Sequence, residues 1–223
     1  MTPPSLPTAR PLRAGALLFD LDGTLIDSSA IYDWAWTEWS QEAGLDPAKA
    51  LAIHHGRRIP ETIALIAPAG YDVLAGSARV LELASSRVDG LREIPGATAL
   101  LQSLPRERWA IVTSSYPDLV RRWLRRLAMP EPVVLVTALD VERGKPAPDC
   151  YRLAAKRLNR NVGDCVVFED APAGIAAGEA AGCQVIAVAT MLGDEALAGR
   201  DWVRDLRNVR IEIDAQSELR LSF

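Results

Sequence analysis

The most regular signal along the chain is a series of short, almost wholly apolar runs, most of which stop abruptly at polar residues. Ala16-Leu17-Leu18-Phe19 is the first. Trp109-Ala110-Ile111-Val112, Val133 to Val136, Cys165-Val166-Val167-Phe168 and Gln184-Val185-Ile186-Ala187-Val188 come after it. A run apolar on both faces suits a strand buried in a parallel sheet, because helices cover both sides of such a sheet. Between the runs, apolar residues recur at three- and four-residue spacing. Leu119, Val120, Trp123, Leu124 and Leu127 form one helical stripe, and Tyr151, Leu153, Ala154, Ala155 and Leu158 form another. Strands alternating with helices predict an α/β fold with a Rossmann-like, doubly wound parallel sheet.

The rhythm breaks from about Ser29 to Glu93, where helical patterns succeed one another with no buried strand among them. Tyr32, Trp36 and Trp39 sit at helical spacing, and Gly56, Pro60, Pro68, Gly70 and Gly76 punctuate the rest of the stretch. The pattern predicts an all-helical insertion at 29–93, closed by the turn Ile94-Pro95-Gly96, in an α/β core made of 12–28 and 94–223. The Pro-punctuated polar start reads as a flexible leader over 1–11. The 223 residues are 49% apolar and 24% charged, enough for a packed core.

Charge narrows the partners. With 25 Lys+Arg against 29 Asp+Glu, a net charge of -4, the chain has no field that would attract nucleic acid or an anionic membrane surface. Cys150, Cys165 and Cys183 have no metal-ligand spacing and read as reduced structural thiols. No apolar run has the length of a signal peptide or a membrane span, so the expectation is a cytoplasmic protein, by default a monomer.

Ligands of open α/β sheets bind beyond the carboxyl ends of the strands, so the polar residues that stop each run are the ones that matter. The first run stops at Asp20 and Asp22, the second at Thr113-Ser114-Ser115, and the fourth at Glu169-Asp170. Lys145 stands in a Gly144-Lys145-Pro146 turn after the third. Carboxylates repel one another, and gathering them at one sheet edge calls for a hard cation such as Mg²⁺ among them. A cation, an ammonium, hydroxyls and loop amides together suit a phosphate, whose transfer depends mainly on positioning and charge.

Asp20-Leu21-Asp22-Gly23-Thr24-Leu25, Thr113-Ser114, Lys145 and Glu169-Asp170, in this order and over most of the chain, resemble the four motifs of the haloacid dehalogenase superfamily of phosphotransferases. The resemblance implies that Asp20 is a nucleophile forming an aspartyl-phosphate. Asp22 is then the acid that protonates the leaving alcohol and the base that activates water. It implies phosphate contacts from Thr113 and Ser114 and charge compensation by Lys145. It also implies a Mg²⁺ site of Asp20, the Asp22 carbonyl and Asp170, with Glu169 direct or through water. The helical insertion becomes a cap over the site. Its His55-Gly56-Arg57-Arg58 segment resembles the His-Gly-x-Arg loop of phosphatases for small sugar and polyol phosphates such as glycerol phosphate and 2-deoxyglucose 6-phosphate. The resemblance makes His55, Gly56 and Arg58 substrate contacts, with Arg58 matching the shared position better than Arg57.

The function expected is therefore a Mg²⁺-dependent hydrolase of a small sugar or polyol phosphate. The alternative within the fold is a sugar phosphomutase resembling β-phosphoglucomutase. Mutases of that kind carry a His about twelve residues after the nucleophile, where Tyr32 stands here. A dehalogenase would lack the second aspartate. A phospho-aspartate receiver module would lack the insertion, and a silent binding protein would not need the full set. Arg121, Arg122, Arg125 and Arg126 read as the solvated face of one helix, and His54 as structural.

Overall fold

The computed structural model describes residues 12–214 and 218–223, so the leader expected at 1–11 lies outside the described residues. β1 (Leu12–Ala14) leads into β2 (Ala16–Phe19), which is buried at every position. β3 (Ile26–Asp27) then opens the insertion, which contains α1 (Ser29–Glu42), α2 (Pro47–Leu51), α3 (Ile59–Ile66) and α4 (Val73–Ser86). β4 (Arg92–Glu93) closes it, pairing antiparallel with β3, so the strand leaving the core and the strand returning to it run side by side. The remainder is α5 (Ala97–Ser103), β5 (Trp109–Val112), α6 (Pro117–Arg126), β6 (Val134–Val136), α7 (Asp149–Arg157), β7 (Cys165–Glu169), α8 (Pro172–Ala181), β8 (Gln184–Val188), α9 (Asp194–Leu197), β9 (Asp201–Val203), β10 (Arg210–Ile213) and β11 (Leu219–Ser222).

The main sheet has six parallel strands in the order β6-β5-β2-β7-β8-β9. The chain places β5 and β6 on one side of β2 and β7 to β9 on the other, so the topological switch point falls beside β2. Phe19 pairs with both Ile111 and Phe168 in register, which brings the ends of β2, β5 and β7 level. The Phe19 and Phe168 rings stack at 5.0 Å. One face of the sheet packs on α7 and α8 through Tyr151, Ala154 and Ala177. On the other side Leu17, Phe19 and Ile111 belong to a second buried cluster that includes Trp123 of α6 and extends to Trp36 and Trp39 of the insertion.

The five expected strands form. The third begins one residue later than its apolar run, because Val133 is 63% exposed outside the sheet edge. The sequence pattern does not reveal β9, nor the three-stranded antiparallel sheet β1-β11-β10 that joins the two ends of the described chain. These strands are short or half exposed. Among the described residues no helix is long and apolar enough to cross a membrane.

Where the chain re-enters the core, Gly96 has φ +91°, and a Cβ there would stand 2.5 Å from the main-chain nitrogen of Arg207. An L side chain meets both a left-handed backbone and a rigid neighbour. Gly96→Ala should destabilise the fold by about 1–3 kcal/mol, read as a lower urea midpoint at an unchanged m-value.

Candidate active site

The level strand ends deliver the acidic residues to one place. Asp20 follows β2 directly, and its amide donates to the Phe168 carbonyl at 3.0 Å. Glu169 ends β7 and Asp170 follows it; all three carboxylates are buried. One oxygen from each of Asp20, Glu169 and Asp170 lies within 4.8 Å of the others. The turn after Asp22 works only with Gly23, at φ +86°, because a Cβ there would collide with Asp170 Oδ2.

Lys145 Nζ enters this cluster from below, donating to Asp20 Oδ1 at 2.5 Å, Glu169 Oε1 at 2.7 Å and the Val112 carbonyl at 3.1 Å. One ammonium stands against the carboxyl groups of Asp20, Asp22, Glu169 and Asp170. Burial pushes the Asp20 carboxyl up to about 8, against the pull of Lys145 and with the push of Glu169. Burial, then the charges of Glu169 and Asp20, raises Asp170 well above the ordinary carboxylate range. Burial works against the Lys145 charge, but Asp20 and Glu169 outweigh it and raise its pKa. The site gathers more carboxyl groups than its own cation can hold in the charged form, so burial favours their protonated state, and a donor set of carboxylate oxygens fits a hard divalent cation whose charge would favour ionisation.

Glu169, a member of this carboxylate cluster, also makes fixed contacts of its own. Its Oε1 accepts from Lys145 and from Tyr151 Oη at 2.8 Å, and its Oε2 accepts from the amides of Asp170 and Ala171 at 3.1 and 3.2 Å. With both oxygens engaged, it holds Lys145 from behind. Gly174, in the first turn of α8, makes room for it, since a Cβ there would overlap Glu169 Oε1.

Asp22 is held by hydroxyls. Ser28 Oγ donates to its Oδ1 at 2.5 Å, and Ser115 Oγ and Thr113 Oγ1 donate to its Oδ2 at 2.9 and 3.3 Å. Because the single Ser115 hydroxyl proton goes to Asp22, Tyr32 Oη donates to Ser115 at 2.7 Å. Ser115, Ser28, Tyr151 and Gly174 are members that sequence reasoning missed. Only proximity marks them, and Ser115 alone had a signal, its place in the Thr113-Ser114-Ser115 strand end.

The cap closes the site from above and leaves a chamber of about 270 Å³. Asp20, Asp22, Asp170, Ser114 and Ser115 form its floor side, and Tyr32, Trp36, His54, His55, Gly56, Arg57 and Ile59 its cap side. Gly56 turns at φ +73°, and its carbonyl accepts from Ser114 Oγ at 2.9 Å, joining the cap loop to the core. His54 is buried and contacts Asp33 Oδ1 at 3.1 Å. Burial and then His54 lower the His55 pKa to about 4, so His55 is a neutral imidazole at neutral pH.

Arg58 does not lie where the sequence places it. Arg57 lines the chamber, whereas the Arg58 guanidinium turns away to Glu61 and to the carbonyls of Val141 and Glu142 in the core. Arg58 has an extended backbone at the start of α3, and its side chain takes the opposite side from that of Arg57.

The profile of the haloacid dehalogenase-like hydrolases matches residues 14–182. Hexitol phosphatase A of Escherichia coli (strain K12) is 41% identical over 181 residues, covering 79% of this chain and 84% of the relative. Glycerol-1-phosphate phosphohydrolase 2 of Saccharomyces cerevisiae (strain ATCC 204508 / S288c) is 35% identical over 196 residues, covering 82% and 78%. The crystal structure of β-phosphoglucomutase from Clostridium difficile superposes with a TM-score of 0.77 at 21% identity, over 88% of this chain and 93% of that one, a likeness of fold alone.

The buried charges set two expected outcomes. Lys145→Met leaves Asp20 and Glu169 buried without their cation and should cost about 3–5 kcal/mol in chemical denaturation at neutral pH. The lowered pKa of His55 means that the native state gives up a proton the unfolded chain keeps below pH 6.5. This contribution is complete above pH 6.5 and is lost as pH falls towards about 4, so in urea titrations across that window His55→Gln should lose less stability than the parent.

Proposed function

The chain belongs to the haloacid dehalogenase-like hydrolases and is a phosphatase, and we propose that its substrate is a small polyol or sugar phosphate hydrolysed through a phosphorylated Asp20. The observation that carries this reading is the chamber, floored by Asp20, Asp22 and Asp170 and roofed by aromatic and polar cap residues. At about 270 Å³ it suits a phosphate ester of a small polyol or a single sugar. The names of the relatives, a hexitol phosphatase and a glycerol-1-phosphate phosphohydrolase, support the same class.

In this reading Lys145 occupies Asp20 Oδ1 and leaves Oδ2 to attack phosphorus. Asp22, beside it, gives a proton to the departing alcohol and takes one from the water that later cleaves the acyl phosphate. The hydroxyls of Ser28, Ser115 and Thr113 fix the direction in which its carboxyl points. The Ser114 amide and the Thr113 hydroxyl, which exchanges its bond to Asp22 for one to substrate, hold phosphoryl oxygens, and Lys145 offsets the charge that the nucleophile and phosphate bring together. Glu169 keeps Lys145 in place.

Mg²⁺ fits the unbalanced carboxylates, held by Asp20, Asp170 and the Asp22 carbonyl. When bound, it supplies Lewis-acid charge neutralisation at the phosphoryl group. His55 and Arg57 face the alcohol portion from the cap, His55 as a neutral hydrogen-bonding partner and Arg57 as the chamber cation. The cap excludes bulk water while Asp20 carries phosphate. Three buried free thiols suit a reducing compartment, and we place the enzyme in the cytoplasm.

A phosphate-release panel tests the proposal: glycerol, hexitol and hexose phosphates with 2-deoxyglucose 6-phosphate, all with Mg²⁺. At least one ester should be hydrolysed, and Asp20→Asn should lower that rate at least about a thousandfold. Equal release by Asp20→Asn, or none from any ester, overturns it. Transfer of phosphate between hydroxyls of one hexose, instead of to water, marks a mutase.

A further inference from the structure

Arg58 and Glu61 form the strongest link between cap and core that the chemistry above does not use. Both sit at the start of α3, the Glu61 carboxylate accepting from the Arg58 amide at 3.4 Å and from its Nε and Nη2 at 2.9 and 2.5 Å. An ion pair three residues apart on one helix contributes little when it stands alone. This pair extends across the interface. Arg58 Nη1 donates to the carbonyls of Val141 at 3.0 Å and Ala138 at 3.4 Å, and Nη2 donates to the Glu142 carbonyl at 2.8 Å. Glu61 Oε1 in turn accepts from the Gly144 amide at 3.2 Å. The approach requires glycine at 144, where a Cβ would stand 2.6 Å from Arg58 Nε and 2.8 Å from both Glu61 oxygens. The guanidinium fork and its carboxylate thus grip the segment 138–144, which ends at the peptide bond to Lys145.

We propose that Arg58 and Glu61 are positioning residues, a clasp that seats Lys145 on Asp20 only when the cap is down. The inference rests on the role proposed above for Lys145. The clasp orders one strand-end loop, while Ser114 Oγ on the Gly56 carbonyl ties the same cap segment to another. Closure over the substrate and completion of the cluster are then one event, and an open enzyme holds its ammonium out of register. Arg58 does this without touching the substrate.

Arg58→Met and Gly144→Ala attack the clasp from its two sides and are made in the full chain with Mg²⁺ present. Both should lower kcat at least about tenfold on an ester from the panel, with KM changed less than about threefold. Both should speed amide exchange at Gly144 and across 138–145, while β5 and β7 keep their protection. Arg58→Lys keeps the charge without the fork and should not restore kcat. Unchanged exchange over 138–145 in both variants overturns the clasp. So does a raised KM with kcat intact, the mark of a substrate-binding arginine. If the parent hydrolyses no ester, the proposed function fails, and the exchange measurement still decides the clasp.

Discussion

The structure depends on one electrostatic constraint: carboxylates crowded into a dry pocket at the end of β2 and β7 with a single ammonium among them. Isolated ions of one sign are excluded from protein interiors by several kcal/mol each, so the arrangement persists only where every partner is fixed. The fixing is visible in the surroundings. Both Glu169 oxygens are saturated, Lys145 has three acceptors, and Gly23 and Gly174 leave room that any side chain would fill. The carboxyl groups in excess of that ammonium are a donor set that fits a hard divalent cation. A net charge of -4 therefore describes the molecule and misdescribes the place where it acts.

The same constraint explains the cap. A cluster of this kind acts strongly only when water is kept out, because Coulomb interactions weaken steeply with solvent dielectric. The insertion leaves the core through β3 and returns through β4, so two strands paired over two residues each carry four helices. So narrow a connection leaves cap contacts to be made by side chains. Tyr32 on Ser115, Gly56 under Ser114 and Arg58 across 138–142 are three such contacts and each meets a loop that carries site residues, while Arg122 of α6 reaches the Ser85 carbonyl of α4.

Much of this was legible in the order of residues. Strands buried on both faces are largely apolar, so β2, β5, β6, β7 and β8 declare themselves, and the polar residues that end β2, β5 and β7 are placed at one sheet edge by the topology alone. The β1-β11-β10 sheet and β9 did not declare themselves. Three or four residues with exposed positions such as Ile213 carry no period that separates strand from loop. Within the site, Asp20, Asp22, Lys145 and Asp170 were legible because each ends a run or interrupts a turn. Ser115, Ser28 and Tyr151 were not, since a hydroxyl acquires a role only from what lies within about 3 Å of it.

Arg57 and Arg58 show why the last step needs coordinates. In sequence they are equivalent cations in one loop, and the shared motif favours Arg58 as the one that meets substrate. In space, Arg57 lines the chamber and Arg58, extended at the start of α3, faces the core loop. A motif specifies which residue types a loop carries, whereas the local backbone decides which side each of them faces. The residue nearest the motif's position can therefore be the one that holds the cap, while its neighbour, free of core carbonyls, is left to meet the substrate.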